Sequence, residues 1–192
     1  WLIQNKIIGL TNINTRHLTF TLRETGALKG VIINGYSNKS QLTKYVKKAK
    51  DWEGLNNMDL AKKVTCRKPI LKKSKNILRD CIDIVIIDYG CKKNIQNILA
   101  NLNLNLIIVP ADYPFEKILS YKPSGIFLSN GPGDPYATGK YAIPIIKNLI
   151  KTKLPIFGIC LGHQLLCLAL GAKTTKMHHG HHGINQPIKN NI

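Results

Sequence analysis

Three absences narrow the classes of protein to which this 192-residue chain can belong. Its five cysteines form no CxxC pair and make an odd total, so the sequence predicts neither a disulfide framework nor a cysteine-based zinc site. We therefore expect a reducing, intracellular compartment. No apolar run approaches the roughly 20 residues that cross a bilayer, so no membrane span is expected. The chain begins at Trp1 rather than Met, so targeting cannot be read from this end.

Acidic side chains are also scarce, since 10 Asp and Glu stand against 28 Lys and Arg, a formal net charge of +18. Such a balance often indicates a nucleic-acid partner, because clustered Lys and Arg displace counterions from phosphates. Here lysine rises together with asparagine and isoleucine along the whole chain, and aromatic residues make up only 7% of it, which leaves few stacking platforms. We interpret the charge as a compositional bias and expect no nucleic-acid partner. A basic nucleic-acid binder is the least favoured alternative.

Residue patterns divide the chain into three predicted parts, 1–66, 67–81 and 82–192. The first combines the β-rich runs LTFTL and GVIING with helical spacing from about Gln41 to Lys50, which indicates the remainder of a small α+β domain. The second is basic, contains Pro69 and lacks a clean period, so we predict a linker with one short strand.

The third part alternates apolar runs with helical spacing, an order typical of a parallel sheet with crossover helices. The predicted strands are Ile82–Asp88, Leu104–Pro110, Gly125–Ser129 and Leu154–Ile159. The predicted helices are Asn94–Leu102, Phe115–Ser120, Tyr141–Lys151 and one that starts after residue 160. The sequence therefore predicts an α/β fold with an incomplete doubly wound parallel sheet.

Cys160 lies in Gly-Ile-Cys-Leu-Gly, between a predicted strand and a predicted helix. This context favours a nucleophile, because side chains in place of Gly158 and Gly162 would collide across so tight a turn. At a helix start, unpaired N–H groups and the macrodipole favour thiolate, and the N–H of Leu161 would point at a developing oxyanion. Cys167 lies mid-helix among leucines without glycine flanks, so we interpret it, like the remaining cysteines, as structural.

A second stretch, FLSNGPGDP, places two glycines and two prolines directly after a predicted strand. The backbone at Gly131 and Gly133 can approach a ligand closely because neither residue carries a Cβ. Open α/β sheets bind ligands in the crevice beyond the carboxyl ends of their strands, where this loop and the Cys160 turn both lie. An ordinary connecting turn is the alternative interpretation of the loop.

Histidines raise two further hypotheses. Four of them lie in MHHGHHGINQP, residues 177–187, but no carboxylate or thiol supports them there, so we expect no metal site. His163 follows Cys160 by three residues, one helical turn further on. At that spacing its side chain is fixed by the helix, and we favour a structural or orienting role over that of catalytic base.

The stretches GICLGHQLLCLALGAK and FLSNGPGDP resemble the nucleophile turn and the glutamine loop of class I glutamine amidotransferases. In these triad enzymes a cysteine attacks the amide of glutamine, forms a γ-glutamyl thioester and releases ammonia. The resemblance implies that Cys160 is the nucleophile and that Gly131, Gly133, Leu161 and Gln164 contact glutamine. It also implies oxyanion donors in the N–H groups of Leu161 and one loop glycine.

Other stretches resemble the small subunit of carbamoyl-phosphate synthase. These are INTRHLTFTLRETGALKGVI, GLNNMDLAKKVT, IDYGCKKNI and GAKTTKMHHGHHGINQPIKN. This resemblance implies a small chain that passes ammonia to a large synthetase chain, which uses bicarbonate, ATP and Mg²⁺, while the small chain needs no cofactor of its own. It implies a cytoplasmic location, or alternatively the plastid stroma, and leaves arginine and pyrimidine biosynthesis both open.

The sequence lacks parts of the family pattern, including the family's amino-terminal part with a Ser contact, a glutamine-contacting Asn-His-Gly-Phe segment and the catalytic base. The base and its orienting acid belong to a His-Pro-Glu motif, which does not occur here and which lies beyond the equivalent of Ile192 in the family. We therefore expect an internal fragment with negligible glutaminase activity of its own. The alternatives are an interaction module of the same fold that has lost catalysis, another class I amidotransferase, and a different cysteine hydrolase.

Overall fold

The computed structural model describes residues 1–35, 38–74, 81–178, 180, 187 and 189. The chain separates into two compact units. The first comprises Trp1–Gly54 and Thr175–Ile192, and the second comprises Leu55–Thr174. No helix in the described ranges is long and apolar enough to cross a bilayer.

The first unit contains two capped helices, α1 (Thr15–Thr25) and α2 (Lys39–Asp51). Asn14 caps α1 by accepting a hydrogen bond from the backbone N–H of His17 at 2.9 Å. Helix α2 begins with a capping box, in which Asn38 and Gln41 each accept from the other's backbone N–H. The helix predicted from about residue 41 to residue 50 is thereby confirmed.

The interpretation of LTFTL as a β-rich run is wrong, because residues 18–22 lie inside α1, and residues 30–35 form no strand either. Three threonines of α1 donate their hydroxyl hydrogens to the carbonyl oxygen of the residue four positions earlier. The donors are Thr19, Thr21 and Thr25. Threonine favours a strand only where neighbouring strands pack against it. The Asn14 cap stabilises the helix instead, and the threonine hydroxyls find acceptors within it.

The second unit is built on a five-stranded sheet with the order β1-β3-β2-β4-β5. Its strands are β1 (Ile70–Lys72), β2 (Ile82–Asp88), β3 (Leu104–Pro110), β4 (Gly125–Leu128) and β5 (Ile156–Gly158). Its helices are α3 (Ala61–Val64), α4 (Lys93–Asn101), α5 (Phe115–Ser120), α6 (Pro135–Lys151) and α7 (Leu161–Ala169). Strands β2 to β5 pair in parallel, and β1 pairs antiparallel with β3.

The predicted elements of this unit are confirmed, β2, β3 and α5 with the bounds that the sequence indicates. The main difference is α6, which begins at Pro135 rather than at Tyr141. Asp134 caps this helix by accepting from the N–H of Tyr136 at 2.9 Å. Proline is favourable at the first helical position because its missing N–H would have no partner there.

The predicted linker contributes β1, so its one expected short strand is confirmed. Residues 55–66 also belong to this compact unit, which ends at Thr174, and residues 75–80 of the linker lie outside the described residues. The domain boundaries at 66/67 and 81/82 stay predictions, because compactness alone does not define a domain.

Apolar side chains alternate between the two faces of the sheet, and each face is covered by helices. Val85 and Ile87 of β2 pack with α5, α6 and α7, while Ile86 packs with α4. All three are fully buried, and burying such a side chain contributes about 1.5–3 kcal/mol. The doubly wound arrangement is thus confirmed. It places the carboxyl ends of β2, β4 and β5 at one edge of the sheet, where the next loops meet.

Tyr89 follows β2 and is fully buried, and its hydroxyl has no hydrogen-bond partner among the described residues. Burial raises the pKa of this hydroxyl well above its usual range. Because an unpaired buried polar group costs about 1–3 kcal/mol, Tyr89→Phe should leave the free energy of unfolding unchanged or raise it. Urea unfolding tests this.

Tyr141→Phe is the matched control, because that hydroxyl donates to Oδ1 of Asp59 at 3.3 Å. It should lower the free energy of unfolding by about 1 kcal/mol. A larger loss for Tyr89→Phe than for Tyr141→Phe would show that the Tyr89 hydroxyl has a partner after all.

Candidate nucleophile site

Cys160 lies at the junction of β5 and α7 with φ 51° and ψ −111°. Residues with a Cβ rarely adopt such a backbone conformation, and it persists only where the surrounding structure imposes it. The side chain is exposed, and its thiol has no hydrogen-bond partner within the described part of the chain. A strained strand-to-helix turn that presents a free thiol is the geometry expected of a nucleophile.

Two glycines allow this turn to sit against the sheet. A Cβ at Gly162 would collide with the carbonyl oxygen of Leu128, and one at Gly158 would lie 2.7 Å from the backbone N of His163. The N–H of Gly162 also donates to the carbonyl oxygen of Ser129 at 3.1 Å. The prediction that side chains at these two positions would collide is confirmed, and the contacts are with backbone that cannot move aside easily.

The first turn of α7 provides positive potential beside the thiol. Leu161 is the first residue of the helix, so its N–H has no acceptor within the helix. No side chain caps this terminus. The N–H of Leu161 and the positive end of the helix macrodipole therefore lie beside the thiol, where negative charge on a bound group would be stabilised.

The loop after β4 contacts the residue that follows the nucleophile. A Cβ at Gly131 would collide with the carbonyl oxygen of Tyr89 and lie 2.9 Å from Cδ2 of Leu161. Asn130 also holds the loop, because its Nδ2 donates to the carbonyl oxygen of Gly90 at 3.2 Å. The structure therefore brings together two predicted glutamine contacts, Gly131 and Leu161.

The other two predicted contacts are placed differently. Gly133 has φ 103° and packs against the backbone that precedes α3, where its Cβ would lie 2.7 Å from the carbonyl oxygen of Met58. Gln164 is exposed on α7, and its N–H donates to the carbonyl oxygen of Cys160 at 3.0 Å. Contact of these four residues with glutamine stays a prediction.

His163 and Cys167 lie one turn apart on α7, with Nε2 and Sγ separated by 3.4 Å. Sequence reasoning missed this pair, although the spacing of four residues on a helix was a sufficient indication. Nε2 of His163 therefore contacts the Cys167 thiol and not the thiol of Cys160, the predicted nucleophile. The structural or orienting role of His163 stays a prediction.

Asp88 is a buried acid at the end of β2 that sequence reasoning also missed. Its carboxylate accepts from the N–H groups of Cys66 at 2.8 Å, Gly90 at 2.9 Å and Cys91 at 2.7 Å. Burial, assisted by the negative charge of Asp88, raises the pKa of the Cys66 and Cys91 thiols to about 11. These thiols carry little thiolate near neutral pH, which fits their predicted structural role.

Of the histidine-rich stretch, only His178 is among the described residues. The other three histidines lie outside them, His179, His181 and His182. The absence of a metal site there stays a prediction.

The profile of the family "glutamine amidotransferase class-I" matches residues 85–192, which is more than half of the chain. The chain belongs to that family. The match includes the Cys160 turn and the loop after β4, so the resemblance stated from these two stretches is confirmed, and with it the fold class.

Curated relatives are carbamoyl phosphate synthase small chains. That of Bartonella quintana is 48% identical over 201 residues, which cover 100% of this chain and 50% of the relative. That of Rhizobium meliloti is 46% identical over 200 residues, 98% of this chain and 50% of the relative. The second resemblance is thereby confirmed, and this amidotransferase chain spans about half the length of the curated relatives it matches.

Among solved structures, a Thermoplasma acidophilum protein described as a GMP synthase subunit is 26% identical. The superposition covers 50% of this chain and 48% of that one, with a TM-score of 0.43.

The steric constraint at Gly162 gives a prediction for the stability of this amidotransferase chain. Because the methyl group of Gly162→Ala would meet the Leu128 carbonyl, we expect the free energy of unfolding to fall by at least about 2 kcal/mol. Urea unfolding measures it. Gly125→Ala is the control, since its Cβ would make an ordinary contact of 3.4 Å with the carbonyl oxygen of Pro155. Equal effects of both variants would contradict the constraint.

Proposed function

We propose that this chain belongs to the glutamine-hydrolysing small chain of a carbamoyl-phosphate synthase. The observation that carries the proposal is the strained, exposed Cys160 at the start of α7, with the Gly131 loop packed against the next residue. The identity of 46–48% to curated small chains over nearly all of this sequence supports the choice among amidotransferases. Docking without catalysis would leave the strained turn unexplained.

In the proposed reaction, the thiolate of Cys160 attacks the side-chain carbonyl carbon of glutamine. Negative charge develops on the carbonyl oxygen, where the N–H of Leu161 and one loop glycine N–H donate hydrogen bonds. Removing one such donor typically costs about 2.7–4 kcal/mol of transition-state stabilisation. Collapse breaks the C–N bond, leaves a γ-glutamyl thioester on Cys160 and releases ammonia, and water then hydrolyses the thioester to glutamate.

The leaving amine needs a proton, which a cysteine–imidazole pair supplies in enzymes of this type. Within the described residues no imidazole is hydrogen bonded to Cys160, and Nε2 of His163 contacts Cys167 instead. We propose that the base and its orienting acid come from the His-Pro-Glu motif of the family, in a part of the protein beyond this stretch. The 192 residues alone should therefore release far less ammonia than the whole protein.

The proposed partner is a large synthetase chain, as the name small chain of the relatives implies. That chain would combine the ammonia with bicarbonate at the expense of ATP, with Mg²⁺, and make carbamoyl phosphate. The proposed small chain binds glutamine and needs no cofactor. The proposed compartment is the cytoplasm, with the plastid stroma as the alternative, and both arginine and pyrimidine biosynthesis are compatible users of the product.

Substitution of Cys160 and of Cys167 distinguishes a nucleophilic cysteine from a structural one. In the whole protein, Cys160→Ala should reduce ammonia release from glutamine by at least about 10³-fold, because the covalent step is lost. Cys167→Ala should keep the rate within about threefold, since that side chain only packs in α7 and contacts His163.

Synthesis of carbamoyl phosphate from added ammonia by the complex is the control, and both variants should retain it. Glutamine hydrolysis that survives Cys160→Ala would contradict the proposed function.

A further inference from the structure

The loop after β4 is held on a second side by residues 57–60, which we call the buttress segment. The N–H of Asp134 donates to the carbonyl oxygen of Met58 at 2.9 Å. In return, the N–H of Asn57 donates to Oδ2 of Asp134 at 2.7 Å. The second bond joins residues 77 positions apart, and the two bonds together fix the end of the loop against the buttress segment.

Contact between the two backbones leaves no room for adjustment at Gly133. A Cβ there would lie 2.7 Å from the carbonyl oxygen of Met58 and 2.9 Å from the N of Leu60. Its φ of 103° is also one that only glycine adopts readily. The position of Gly133 is therefore determined by its contact with the buttress segment.

The carboxylate of Asp134 has two separate partners. Oδ1 accepts from the N–H of Tyr136 at 2.9 Å and caps α6, whereas Oδ2 accepts from Asn57. Hydrogen bonds to an ionised acceptor are about twice as strong as those between neutral groups. A single side chain thus links the start of α6, the end of the loop and the buttress segment.

The buttress segment is itself anchored to α6. Oδ1 of Asp59 accepts from Oγ1 of Thr138 at 3.2 Å and from the hydroxyl of Tyr141 at 3.3 Å. Thr138 is fully buried, and so is Ala61, which follows the segment. Because the buttress segment is fixed to α6, it can hold the loop in one position.

Gly131, at the other end of the same short loop, packs against Leu161 beside the nucleophile. A shift at Gly133 would pass to Gly131 through a single proline, whose fixed φ makes the connection stiff. We propose that Asp134 is a positioning residue for glutamine binding, which holds Gly131 against the Cys160 turn by bridging Asn57 and Tyr136. This inference rests on the proposed function and concerns the same site.

Asp134→Asn in the whole protein, assembled with its large chain, tests the inference. Asparagine caps a helix as well as aspartate does, so the start of α6 is retained. Its side chain has only one acceptor oxygen, and its NH₂ group would face the N–H of Asn57. We expect the KM for glutamine to rise about tenfold, which corresponds to about 1.4 kcal/mol, with kcat for ammonia release changed less than threefold.

Two further variants sharpen the measurement. Asp134→Ser keeps a capping oxygen but has no second oxygen for the N–H of Asn57, so it should raise KM as Asp134→Asn does. Glu116→Gln is the matched carboxylate-to-amide control, because Glu116 is exposed in the first turn of α5 and no hydrogen bond links it to the loop. Its KM should equal that of the wild type.

The outcomes separate the inference from the function on which it rests. A wild-type complex that releases no ammonia from glutamine would overturn both. An active wild type with an unchanged KM in Asp134→Asn would overturn the inference alone. A parallel loss of kcat and of thermal stability in Asp134→Asn would also overturn it, since Asp134 would then only stabilise the fold.

Discussion

Direct backbone contact between α7 and the end of β4 is the constraint on which the rest of the site depends. It exists because Gly162 carries no Cβ, so that its Cα can approach the carbonyl group of Leu128. The N–H of Gly162 then bonds to the carbonyl oxygen of Ser129, one residue further along. With the helix fixed this close to the sheet, the chain that leaves β5 has room only for a sharp turn, and Cys160 takes up the strain.

Close approach at a glycine also occurs in the loop after β4. Gly131 approaches Tyr89 and Leu161, and Gly133 approaches the backbone at Met58. The loop is therefore enclosed by three elements that are distant in sequence, namely the end of β2, the start of α7 and the segment before α3. Such enclosure supports the proposed glutamine site, because donors fixed in advance need no reorganisation as charge develops.

The sequence was most informative where one local pattern determined the outcome. Buried parallel strands are continuous apolar runs, which is why β2 and β3 were predicted with their bounds. The glycines flanking Cys160 indicate the turn for an equally local reason, because only residues without a Cβ fit at positions 158 and 162. By contrast, LTFTL is β-rich in composition but lies in a helix. Its β-branched residues favour a strand only next to other strands, and α1 has local caps. Contacts such as that between Asn57 and Asp134 join distant residues and have no local pattern at all.

In the proposed reaction, Cys160 forms a covalent bond to the glutamyl group. The most direct test mixes the whole protein with glutamine, quenches the reaction in acid during turnover, and maps cysteine-containing peptides by mass spectrometry. We expect a glutamyl thioester on the peptide that contains Cys160, and none on that peptide in the Cys160→Ala variant. Turnover with the adduct on another cysteine, or with no adduct and full ammonia release by Cys160→Ala, would contradict it.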